Sequence, residues 1–178
     1  MQLILLERIT KLSRLGEVLA AEGLKRNRFT DVEDLHLRRI NNQFGDLLAT
    51  KNGVRYFIVV KTRNEMRQDE VGMNEAYNLI LISNVANAEL KRQGETIDQI
   101  TQILLAEVAD LAAVHDATPA WITVAINAKA GTYSAYFGLV ATLGNRRSIP
   151  MTLKARKEYL CLADNLADGR VTADLLYS

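Results

Sequence analysis

FGDLLATKNGVRYFIVVKTR, from Phe44 to Arg63, is the stretch on which the reading of this chain turns. At its middle stands Asn52-Gly53, between two runs rich in apolar residues. A two-residue type I′ turn needs positive φ at both central positions, and Asn-Gly supplies it. The stretch therefore predicts a hairpin with Lys51 opposite Val54. Each step outward keeps that register and sets Asp46 opposite Val59. Lys61 lies two residues beyond Val59 on the same face, so Asp46 and Lys61 become diagonal neighbours within reach of one ligand. Tyr56-Phe57-Ile58-Val59-Val60 is apolar on both faces, as a central strand is.

Working outward, Leu3 to Leu24 carries apolar residues at helical spacing (Leu5, Leu6, Ile9, Leu12, Leu15, Val18, Leu19), with Gly23 as a stop. Lys25 to Thr30 reads as a connection. Leu35, Leu37 and Ile40 suggest a first strand, Phe44 to Thr50 a second and Val54 to Thr62 a third, all antiparallel. Beyond the hairpin, Asn74 to Gln93 and Thr96 to His115 are amphipathic and helical, parted at Gly94. Trp121 to Ile126 and Tyr133 to Val140 alternate as strands. Gly144 to Arg147 is a loop, Thr152 to Asn165 a last helix, and the rest a small, polar tail. The expectation is a single α/β domain over residues 1–178, in the order α-βββ-αα-ββ-α.

Composition narrows the classes. The 178 residues suffice for one domain with a full core, and 48% hydrophobic with 24% charged residues is a globular balance. A net charge of +1 gives no global field toward nucleic acid, so such binding would need a local basic patch. One cysteine, Cys161, excludes an internal disulfide; its apolar neighbours predict a buried, inert thiol, and a reducing compartment fits. The first apolar run, Met1 to Leu6, meets Glu7 and Arg8 too early for a membrane span and lacks the layout of a signal peptide. A cytoplasmic protein without membrane attachment is the expectation. No GxGxxG, phosphate loop or HExxH is present, and His36 and His115 have no partners at metal-ligand spacing in sequence.

A carboxylate and a lysine on adjacent strands suit phosphodiester hydrolysis. The carboxylate holds a hard divalent cation, which polarises a phosphoryl oxygen and acidifies water, and the lysine orients that water or offsets developing charge. Phe44-Gly45-Asp46-Leu47-Leu48-Ala49 followed by Tyr56-Phe57-Ile58-Val59-Val60-Lys61-Thr62-Arg63 resembles the PD-(D/E)XK, or restriction-endonuclease-like, superfamily. That pattern has an Asp on one strand and an acidic-X-Lys on the next, after an N-terminal helix. The resemblance covers roughly residues 1–140. It implies a restriction-endonuclease-like fold, with a central mixed sheet of about five strands flanked by helices. It also implies a Mg²⁺- or Mn²⁺-dependent nuclease acting on DNA, with Asp46 as metal ligand and Lys61 as catalytic lysine.

Val59 departs from the pattern, for it stands where the family carries an acidic residue or Gln, and valine binds no metal. Two readings follow. In some members the carboxylate has moved to the helix after the Lys strand, and Glu75 resembles that arrangement as a second metal ligand and catalytic residue; Glu33 and Glu65 are further substitutes. In the other reading the domain binds nucleic acid or protein without cutting. Arg63, Arg67, Arg146 and Arg147, with Lys154, Arg156 and Lys157, are the candidate phosphate contacts. The two apolar helices offer a surface for a homodimer. Trp121 and Tyr136 read as packing residues rather than base-stacking platforms.

Overall fold

A computed structural model describes residues 2–36, 45–64, 76–79 and 93–176, with side chains from residue 10 to residue 172 within those limits. Helix α1 (Gln2–Arg26) leads into strand β1 (Thr30–Asp34). The hairpin follows as β2 (Leu47–Lys51) and β3 (Val54–Asn64), with Lys51 paired to Val54 and Leu47 to Ile58. Asn52 (φ 52°) and Gly53 (φ 78°) form the turn, so the register expected from Asn-Gly is the register observed. Short β4 (Ala76–Asn78) precedes helix α2 (Ile97–Val114). Then come β5 (Thr118–Asn127), β6 (Thr132–Leu139), β7 (Ser148–Pro150), helix α3 (Leu153–Arg156), β8 (Leu160–Ala167) and helix α4 (Gly169–Leu176).

Six strands form one sheet in the order β1-β2-β3-β5-β6-β8, and β4 pairs with β7 in a separate ribbon. Only β3 and β5 run parallel, with Tyr56 beside Thr118 and Lys61 beside Thr123; the other pairings are antiparallel. β3 is thus central and is covered on both faces, as its continuous apolar run requires. Ile58 and Val60 turn to one core with Leu15, Leu19 and Leu24 of α1. Phe57 and Val59 turn to a second core with Ile100, Leu104 and Val108 of α2, Trp121 of β5 and Tyr77 of β4. Alternation along each strand distributes these side chains, and each fully buried large aliphatic contributes about 1.5–3 kcal/mol.

Several elements differ from the sequence expectation. The sheet has six strands, not five, with a two-stranded ribbon besides. The first strand lies at Thr30–Asp34, ahead of Leu35. Its TDVED sequence is polar because it is the sheet's outer strand, where charged side chains face water and discourage further pairing. Residues 37–44, including Leu37, Ile40 and Phe44, lie outside the described residues. Gly23 does not stop α1: it packs against Leu162, and the helix closes at Asn27, whose backbone N–H donates to the Gly23 and Leu24 carbonyls. Within the expected Asn74–Gln93 helix, residues 76–78 form β4 against β7, because Tyr77 buries its ring in the second core; residues 80–92 lie outside the described residues.

The expected Thr152–Asn165 helix ends after one turn, capped by Thr152, and residues 160–167 form β8 instead. β6 offers an open edge there, and pairing with it buries Leu162 and Ala163. The expected tail is helix α4, docked through Val171. Cys161 is exposed on β8, not buried, although partial desolvation and Asp164 push its thiol pKa upward. Trp121 and Tyr136 are buried packing residues as read, with the Trp121 indole N–H donating to the Leu139 carbonyl. No helix among the described residues is long and apolar enough to cross a membrane.

Candidate functional site

Asp46 stands one residue before β2. Its backbone N–H donates to the Ile58 carbonyl, and its carbonyl accepts from Leu35 N–H, so the residue is tied into the sheet on both sides. Its side chain is 19% exposed. Oδ2 accepts the Val60 N–H at 2.6 Å, and Oδ1 faces His36 Nε2 at 3.2 Å. Lys61 lies close enough that each charge acts on the other's ionisation. The two residues that hairpin parity pairs thus lie within electrostatic range of each other.

Two further residues complete the place. Glu17, on α1, has a side chain only 10% exposed; its Oε2 accepts from Arg14 at 2.7 Å, while Oε1 lies 3.5 Å from the same His36 Nε2. The ligand atoms of Glu17, His36 and Asp46 all lie within 4.8 Å of one another. Arg14 also pairs with Asp34, whose carboxylate accepts the His36 backbone N–H at 3.0 Å. One guanidinium thus braces both Glu17 and the turn that carries His36. Helix and sheet can approach this closely because α1 presents Gly16 to Thr62: a Cβ on Gly16 would stand 2.7 Å from Thr62 Cβ and nearer still to its Oγ1.

Burial and neighbouring charges act together on the groups at this place. Burial pushes the Glu17 carboxyl above its usual range, against the pull of Arg14, and the Asp46 charge pushes the same way. Burial also raises Asp46, against its bond from Val60 N–H and the Lys61 charge. Lys61 is lowered by burial and held up by Asp46. Two half-desolvated carboxylates facing one another gain from any positive charge set between them. Carboxylate oxygens and an imidazole nitrogen are all donors to divalent ions, so the residues present fit the metal that the resemblance implies.

The other expected residues are spread out. Glu75, Glu65 and Arg67 lie outside the described residues. Glu33, on β1, pairs with Arg55 at 3.7 Å. Arg63 sits over the Tyr77 ring at 5.3 Å. Arg146 and Arg147 are exposed, and the Arg147 carbonyl accepts from Leu79 N–H, beside the β4–β7 ribbon. Arg63 and Arg147 thus border the same ribbon. Arg156 donates to the Met151 carbonyl and lies over the Tyr136 ring. Arg146 and Lys154 line a separate cleft of about 640 Å³ with Tyr159 and Leu160.

Glu17 and His36 escape a reading by motif. One signal for Glu17 was present: it lies three, four and seven residues before Ala20, Ala21 and Leu24, so it sits on the otherwise apolar inward face of the helix. His36 carries no such mark. His115 proves structural, stacking on Phe57 at 5.6 Å at the end of α2. No family model, curated protein or solved structure matches this chain.

Proposed function

We propose that this domain is a divalent-metal-dependent hydrolase of DNA phosphodiester bonds. The observation that carries the reading is the cluster of Glu17, His36 and Asp46, with the Lys61 charge acting on Asp46. It agrees with the resemblance to the PD-(D/E)XK pattern and supplies, from α1, a carboxylate that Val59 does not.

Asp46 and Glu17 would hold the cation, Mg²⁺ or Mn²⁺, and Glu75 would be a further ligand in this proposal. The bound ion would supply charge to the phosphoryl oxygens and acidify the attacking water. Lys61, whose charge acts on Asp46, would orient that water or offset charge that develops on phosphate. Arg14 holds one Glu17 oxygen and so aims the other. Arg63, Arg67, Arg146 and Arg147 are the proposed DNA contacts, binding phosphates without reading sequence.

The test is incubation with plasmid, single-stranded DNA and RNA in Mg²⁺ or Mn²⁺. Asp46→Asn and Lys61→Ala should each lose cleavage by about 10²-fold or more while circular dichroism stays unchanged. Absence of cleavage by the unaltered protein under all these conditions overturns the enzyme reading.

A second reading is a non-cutting module that binds nucleic acid or a protein partner. Val59 favours it: it is 4% exposed and packed into the second core, so the position of the family's acidic residue is filled with hydrocarbon. DNA binding that weakens with salt, without cleavage, would select it. In either reading a homodimer is proposed through the outward face of α2, where Ile103 (38%) and Val114 (80%) are exposed. Light scattering at a monomer mass would remove it.

A further inference from the structure

We infer that Glu17 Oε1, Asp46 Oδ1 and His36 Nε2 form a three-ligand cation site that selects first-row transition ions, Mn²⁺ and Zn²⁺ among them, over Mg²⁺. This deepens the proposed function and rests on it for the site's use, though the geometry stands without the reaction.

Each carboxylate commits one oxygen to a fixed partner and turns the other toward a common point. Glu17 gives Oε2 to Arg14 and leaves Oε1 with His36 Nε2 alone, at 3.5 Å. Asp46 gives Oδ2 to the Val60 N–H and leaves Oδ1 with the same nitrogen, at 3.2 Å. A glutamate that is nine-tenths buried, with Arg14 on one oxygen and an exposed imidazole on the other, gains from further positive charge at that second oxygen.

The spacing suits one ion. Ligands about 2.2 Å from a common metal lie at most ~4.4 Å apart. The three donors lie within 4.8 Å of one another, so a shift of a few tenths of an ångström closes the site. The movement falls to His36, which is 51% exposed at the mouth while the carboxylates are braced behind it.

Donor chemistry sets the choice of ion. Mg²⁺ prefers oxygen ligands and retained water, whereas imidazole nitrogen suits the later divalent ions, and affinity rises from Mn²⁺ toward Cu²⁺. Three protein donors leave coordination positions open, which a phosphate oxygen and water can fill. Lys61 adds its charge beside Asp46 without occupying a ligand position.

Binding is read directly, without turnover. Mn²⁺ titration followed by electron paramagnetic resonance, with calorimetry for Zn²⁺ and Mg²⁺, should show Mn²⁺ and Zn²⁺ held at least about tenfold more tightly than Mg²⁺. Exposed His36 can be changed without disturbing the core. His36→Ala should weaken Mn²⁺ and Zn²⁺ by about tenfold or more and leave Mg²⁺ within about twofold. Glu17→Gln should weaken all three. Equal affinity for Mn²⁺ and Mg²⁺, or His36→Ala binding Mn²⁺ as the unaltered protein does, overturns the inference. Selective Mn²⁺ binding without DNA cleavage upholds the site and overturns the nuclease. DNA cleavage by a protein that holds Mn²⁺ and Mg²⁺ equally tightly does the reverse.

Discussion

Gly16 is the residue on which the approach of α1 to the sheet depends. A methyl group there meets Thr62 at both Oγ1 and Cβ, so rotating the hydroxyl does not relieve it. Gly16→Ala should cost about 2–3 kcal/mol, the upper end for overpacking, against about 1 kcal/mol regained in helix propensity, for a net loss of ~1–2 kcal/mol in urea unfolding. An unchanged midpoint would show that α1 shifts freely. The same variant should displace Glu17 from Asp46 and weaken Mn²⁺ binding more than its stability loss alone accounts for. At this scale the sequence was half legible. Asp46 and Lys61 follow from strand parity, a local rule that needs only the turn. Glu17 and His36 meet them through helix-on-sheet docking and a turn braced by Arg14, which no local period encodes.

The hairpin β2–β3 and helix α2 were the most legible elements because each carries its own boundary chemistry. Asn52-Gly53 sets the turn, and Thr96 opens α2 in a reciprocal capping box with Gln99. Gly53 has open space around its Cα, so Gly53→Ala tests backbone conformation alone. At φ 78° an alanine should cost about 1 kcal/mol, visible as a lower denaturation midpoint at unchanged slope. No change would mean the turn relaxes to another type. β1 and β8 were illegible for the opposite reason. Both are outer strands, and their identity comes from the edge each one finds: a polar TDVED against β2, and residues 160–167 against β6, where the sequence reads as the end of a helix over Thr152–Asn165.

In the whole molecule the two ends of the described chain are tied together. Arg170, at the start of α4, donates to Glu22 of α1 at 2.9 Å and to Asp168 at 3.0 Å. Its hydrogen bonds pull the Glu22 and Asp168 carboxyls below their ordinary values. A carboxyl depressed in the folded state binds fewer protons there than when unfolded. Its stabilisation is therefore complete above the unfolded value, near pH 4, and fades as pH falls through the lower folded one. Arg170→Gln should accordingly lower Tm at pH 7 by a small amount, since these groups are partly solvated, and flatten the loss of Tm below pH 4. Parallel acid limbs in the two proteins would show that the clamp carries no stability. The parallel ladder from Tyr56–Thr118 to Asn64–Ile126 joins segments ~60 residues apart. A ribosome making this chain has therefore released α1 and the whole hairpin long before the strand that must lie against β3 exists. Until then one of the most apolar strands in the protein has only half its neighbours. The nascent chain carries an open, adhesive edge for the duration of those residues, at ~5–20 residues per second. The growing chain thus needs protection from self-association during synthesis that the finished domain does not.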